Sequence, residues 1–260
     1  MAVVVLGRPG VIAPARAVTA RPRRAAAAPW PHRPDTPSEG TAMATPPHTG
    51  RNLSYFVMSA SARADSWNTR LARLAASVIE ERGGTAEVAT IGDFDVPGYH
   101  GDHEASDGIP DGAERFRSRL LDHDAFVISS PEYNASVPGV LKNLIDWTSR
   151  FRPQPFNERL GLLMSASPSR TGGNRSLWAL RVPLEALGAR VHPDMFSLAQ
   201  SATAFGEDGR LAHGTLQEQF EENVRGYMDL VEAIVRYPCA KKAWVEYLGQ
   251  RPDPAFRRAE

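Results

Sequence analysis

The chain has 260 residues, enough for one large domain or one ordinary domain with tails. Hydrophobic residues make up 42%, charged residues 23% and the formal net charge is +0, an ordinary globular composition that offers nucleic acid or an anionic membrane no electrostatic attraction. The single cysteine, Cys239, excludes a disulfide framework or a multi-cysteine metal site within one chain, and no apolar run is long enough to span a bilayer.

Residues 1–50 differ from the rest. They are dense in Ala, Pro and Arg, and their only acids are Asp35 and Glu39. No helical or strand period persists, so the segment reads as a disordered extension with too little apolar surface to offset chain entropy. Three explanations compete: a start-site artefact with translation beginning at Met43, a natural tail, or a targeting peptide, since transit peptides are Arg-rich and acid-poor. Val3-Val4-Val5-Leu6 is too short an apolar run for a secretory signal, and a cytoplasmic protein is expected.

The expected folded domain covers 51–238. Leu53 to Met58 reads as a first strand. A polar loop follows, then a helix with Leu71, Leu74, Ala75, Val78 and Ile79 at helical spacing, ended by Gly83-Gly84. Thr85 to Ile91 reads as the second strand, followed by a long irregular connection through Pro97, Gly101 and Pro110. A helix over Ala113 to His123 leads into a third strand over His123 to Ile128. After the loop from Ser130 to Gly139, Leu141, Leu144, Ile145 and Thr148 mark the next helix.

Leu160 to Ala166 reads as the fourth strand. A loop over Ser167 to Gly173 and a helix over Asn174 to Leu187 follow, and Ala189 to Pro193 is a short fifth strand. A long amphipathic helix is expected over Gly214 to Arg236, and the tail, 239–260, has room for one short helix near Trp244 to Leu248. Five alternations of strand and helix mean an α/β fold: a five-stranded parallel sheet between helical layers, suiting the flavodoxin-like order 2-1-3-4-5.

Open sheets of this kind bind ligands at the carboxyl ends of their strands, and three loops fall there. The first carries Ser61, Arg63, Ser66 and Asn68 just before a helix, where unpaired N–H groups and the dipole favour an anion. The competing reading makes Ser66 a helix cap and Arg63 a solvated surface charge. The second, Pro131-Glu132-Tyr133-Asn134, offers backbone amides and an aromatic face; it also reads as a rigid turn that starts a helix at Pro138. The third contains Gly172-Gly173, which permits close backbone approach to a ligand or forms a flexible turn. No P-loop, dinucleotide fingerprint or nucleophile elbow is present. His100 and His103 are too few for a metal site without further ligands.

Together the three loops resemble the NADPH-dependent FMN reductase family over residues 52–200. The family's G-S-x-R-x-x-S-x-N signature is met by Ala60-Ser61-Ala62-Arg63-Ala64-Asp65-Ser66-Trp67-Asn68, with alanine at the first glycine. Its P-E-Y-N-x-S-x-P-G-x-L-K-N-x-I-D-W motif is met at every specified position from Pro131 to Trp147. The third segment is met by Ser167-Pro168, Gly172-Gly173, Leu180-Arg181, Leu184 and Leu187-Gly188-Ala189.

The resemblance implies non-covalent FMN. Its phosphate would lie on Ser61, Arg63, Ser66 and Asn68, its ribityl chain and ring on Pro131, Glu132, Tyr133 and Asn134, and the far side of the ring near Ser165, Ser167 and Gly172. It also implies hydride delivery from NADPH or NADH to the flavin, then electron transfer to a quinone, free flavin, azo compound or metal oxyanion. No catalytic side chain is implied, since the cofactor carries the chemistry. A homodimer or homotetramer is expected, with the helix from Val140 and the loop Phe151 to Phe156 as the contact. The alternative function is a flavodoxin-like electron carrier; the neutral charge favours the enzyme.

Overall fold

The computed structural model describes residues 52–236. Five parallel strands lie in the order β2-β1-β3-β4-β5, with β6 also paired to β4. They are β1 (Ser54–Ser59), β2 (Thr85–Thr90), β3 (Ala125–Ser129), β4 (Leu160–Ala166), β5 (Arg190–Val191) and β6 (Phe196–Leu198). The helices are α1 (Trp67–Glu81), α2 (Gly101–Asp107), α3 (Asp111–Asp122), α4 (Gly139–Thr148), α5 (Asn174–Ala186), α6 (Ser201–Ala204) and α7 (Gly214–Arg236), with a 3-10 turn over Ile91–Phe94. This is the flavodoxin-like architecture expected from the alternation. The extension over 1–50, Cys239 and the expected helix near Trp244 lie outside the described residues.

The central strands are buried on both faces, so β1, β3 and β4 read as near-continuous apolar runs. Period-2 alternation sorts their side chains into two cores. Tyr55, Val57, Val127, Leu162 and Met164 face α1 and α7. Phe56, Met58, Phe126, Ile128 and Leu163 face α3, α4 and α5. Gly161 is required by this packing: a Cβ there would lie 2.2 Å from the ring of Phe126.

The sheet departs from expectation in its fifth position. It is filled by two short segments, β5 against Leu160–Gly161 and β6 against Met164–Ala166. Between them Pro193 lacks an N–H for the ladder. The connection after β2 is also more ordered than expected, since it holds the 3-10 turn and α2. Here the acids of the first α2 turn, Asp102 and Glu104, suit a helix start that glycines and histidines obscured. In the loop expected to mediate assembly, Arg152 and Pro153 are exposed, while Phe156 is fully buried in the chain's own second core.

Candidate functional site

Parallel register brings the three loops to one edge. Ser59 pairs with Ser129, and Ser129 with Met164, so β1 and β3 end level and β4 runs two residues further. Two backbone bonds continue the ladder into the loops, Ala60 N–H to Ser129 O at 2.8 Å and Ser130 N–H to Met164 O at 2.8 Å.

Asn68, in the first turn of α1, ties these strand ends together. Its Oδ1 accepts from Ala166 N–H at 2.9 Å and from Ser129 Oγ at 3.1 Å, while its Nδ2 donates to Ala166 O at 2.9 Å. The side chain is buried, with its acceptor and one amide hydrogen engaged inside the protein. A residue expected to grip phosphate is therefore first a strut between α1, β3 and β4.

The rest of the first loop keeps its polar groups near the helix start. Ser66 caps α1, its Oγ accepting from Asn68 N–H at 3.2 Å, so the capping reading holds for it. Ser61 is nearly buried and its Oγ accepts from Arg63 N–H at 3.3 Å. The Arg63 side chain is exposed and makes no ion pair or hydrogen bond among the described residues. The first turn of α1 holds no acid, so its own carboxylates do not offset the positive end of the dipole. Asp65, just before it, is exposed.

The second loop is a rigid two-residue turn. Tyr133 and Ser136 exchange both backbone bonds at 3.0 Å. Asn134 and Ala135 between them have φ of 51° and 62°, the left-handed pair of a type I′ turn. Asparagine accepts that region readily, but alanine is held there at a cost of about 1–2 kcal/mol, of the kind that gathers at functional sites. The turn presents the Tyr133 ring, 44% exposed, to solvent. Glu132 behind it faces the protein, its carboxylate directed at the start of α5.

The third loop packs on its own chain more than expected. Gly172 and Gly173 have φ of 61° and 84°. A Cβ on Gly172 would meet the backbone of Ser197 to Ala199 at 2.9 Å, and one on Gly173 would meet Ser165 Oγ at 1.9 Å. The glycines thus allow close approach within the fold, in addition to the ligand approach expected of them. Ser167, Ser169 and Thr171 form a chain of hydroxyls at 3.0 Å per link. Ser165 lies fully buried beneath Gly173, and its Oγ has no partner among the described residues.

A small cleft of about 140 Å³ adjoins the first loop, between Ala62, the 3-10 turn with Ile91 and Phe94, and Val140 and Asn143 of α4. Sequence reading missed this neighbour because the turn lay in a stretch without periodicity. Among the described residues no three His, Cys, Asp or Glu side chains converge as metal ligands, and no helix is long and apolar enough to cross a membrane.

A parallel open sheet in this order, with hydroxyls, an exposed aromatic ring and an arginine that has no partner among the described residues at its carboxyl edge, defines a flavodoxin-like fold with its binding crevice at that edge. The family model for NADPH-dependent FMN reductase matches residues 54–203. An NAD(P)H-dependent FMN reductase of Pseudomonas aeruginosa is 36% identical over 179 residues, spanning 67% of this chain and 92% of that protein. A quinone reductase of Escherichia coli is 34% identical over 139 residues, spanning 54% of this chain and 73% of that protein. Among solved structures, the flavoenzyme NAD(P)H:(acceptor) oxidoreductase FerB of Paracoccus denitrificans superposes with a TM-score of 0.61 at 27% identity, covering 70% of this chain and 98% of its own. The chain belongs to the NADPH-dependent FMN reductase family, whose members are oxidoreductases that use FMN and NAD(P)H.

Proposed function

We propose that this chain reduces quinones and comparable small oxidised acceptors with electrons from NADPH or NADH, holding FMN across the three carboxyl-edge loops. Bound FMN supplies the hydride and electron chemistry. The protein supplies position and electrostatics, which is why no catalytic acid or base is assigned. Arg63 and the hydroxyls of Ser61 and Ser66 meet the phosphate at the start of α1, as charge-assisted donors at a positive dipole end. Backbone groups of Pro131 to Asn134 and the ring of Tyr133 border the isoalloxazine. Ser167 borders its other side, and Ser165, beneath Gly173, places behind it a buried hydroxyl that lacks a partner among the described residues.

The observation that carries this reading is Arg63, without a partner among the described residues, at a helix start whose first turn holds no acid, one strand away from an exposed tyrosine on a rigid turn. Assembly as a homodimer or homotetramer belongs to the same reading. Val140, 52% exposed at the start of α4, marks the face, and light scattering at micromolar concentration tests it. The functional test is spectral. Protein purified with FMN shows a bound-flavin spectrum, anaerobic NADPH bleaches it, and a quinone restores it. Bound flavin that NADPH does not bleach identifies an electron carrier instead, and no flavin uptake refutes the site.

A further inference from the structure

We infer that Glu132 is a positioning residue that locks the Tyr133 turn to the start of α5, rather than a ligand of the flavin through its side chain. The inference rests on the reductase reading above. Its Oε2 accepts from the backbone N–H groups of Arg175 at 3.0 Å and Ser176 at 3.4 Å. Its Oε1 accepts from Arg175 Nε at 2.9 Å and pairs with Arg175 Nη2 at 2.6 Å. An ionised carboxylate has about four acceptor sites, and these four donors occupy them, so no lone pair remains for a ring N–H. The Glu132 side chain is only 8% exposed.

The lock answers a need of α5. That helix begins after Gly173, which has no side chain to cap it, and its first turn holds no acid of its own. Glu132 supplies the missing cap and the counter-charge from a distant loop. The contact is reinforced from the other side, where Ser176 Oγ donates to Pro131 O at 3.0 Å. Both residues flanking the start of the turn are therefore fastened to α5. The turn itself, closed by the Tyr133–Ser136 pair, is rigid. Fixing its base fixes where Tyr133 and its neighbouring amides stand relative to Ser165 and Ser167, and a displacement of about 1 Å in such a wall is enough to slow a reaction by about 100-fold.

The test uses the full chain loaded with FMN and compares Glu132→Ala, Glu132→Gln, Arg175→Ala and the double variant Glu132→Ala/Arg175→Ala. The readouts are kcat and KM for NADPH with a quinone, the visible circular dichroism of bound flavin, and hydrogen exchange at the amides of Tyr133 and Ser136. Positioning predicts at least a 10-fold fall in kcat for Glu132→Ala, an altered flavin dichroism, and at least 10-fold faster exchange at the two amides. Arg175→Ala shifts each readout in the same direction, the double variant is no worse than Glu132→Ala, and Glu132→Gln, which keeps an acceptor for Arg175 N–H, lies between.

Variants that lose thermal stability yet keep wild-type kcat, dichroism and exchange would reduce the lock to a structural cap and overturn the inference. A large loss in Glu132→Ala and Glu132→Gln with Arg175→Ala unaffected would overturn it in favour of direct contact. If Glu132→Ala does not fold, Glu132→Gln decides together with Arg175→Ala, whose side chain is 61% exposed and whose loss leaves the two backbone donors in place. If the wild-type chain takes up no flavin, the reductase reading fails, and amide exchange in the flavin-free variants still decides the lock.

Discussion

Replacing Asn68 by alanine isolates the strut that joins the loops. The change removes both partners of Ala166, whose backbone N–H and C=O bond to Asn68 at 2.9 Å each, and the acceptor of Ser129 Oγ at 3.1 Å. Ala166 and Ser129 are buried, so water does not replace those bonds. A buried backbone group left unpaired costs about 1–3 kcal/mol. Two such groups bring the expected loss to about 2–6 kcal/mol, against a total of about 5–15 kcal/mol for a typical domain. Asn68→Asp keeps the acceptor but sets a carboxylate oxygen against Ala166 O, so it falls in the same range or below. The assay is urea unfolding of the flavin-free protein, where the midpoint drops at unchanged m. A variant within about 0.5 kcal/mol of wild type, the range of an ordinary surface change, would refute the strut. If such a variant also lost FMN affinity, Asn68 would be a ligand first.

Gly161→Ala forces a methyl group to 2.2 Å from the Phe126 ring and destabilises by about 2–3 kcal/mol in thermal unfolding; adding Phe126→Leu recovers part of the loss, and no recovery would place the strain elsewhere. Burial, aided by the charge of Arg181 and opposed by Asp194, holds the His192 imidazole below its ordinary pKa of 6.5. Its contribution to stability is therefore intact above about pH 6.5 and is lost as pH falls toward the folded value, and His192→Gln removes that part of the slope in unfolding measured from pH 8 to 5. Arg63→Ala weakens FMN binding by about 10- to 100-fold, as expected for one charge-assisted hydrogen bond, while riboflavin affinity measured by fluorescence quenching stays level; equal losses for both would remove Arg63 from the phosphate.

The order of elements was legible in the sequence because strands buried on both faces must be apolar runs and surface helices must repeat at 3.6 residues. Leu160 to Ala166 and the long helix from Gly214 to Arg236 coincide with expectation for that reason. The gathering of the three candidate loops was legible too, since alternation implies a parallel sheet and a parallel sheet puts its loops at one edge. What side chains do inside those loops was not. Asn68 and Glu132 carry groups able to hold a phosphate or a ring, but their partners lie 98 and 43 residues away in the chain. Likewise Phe156 and Val140 are both apolar, and only packing set the first inside the core and the second at the surface. Residue type fixes how many hydrogen bonds or how much apolar area a side chain can offer. The fold decides which neighbour takes them, because that neighbour is brought near only when β1, β3 and β4 pair in register.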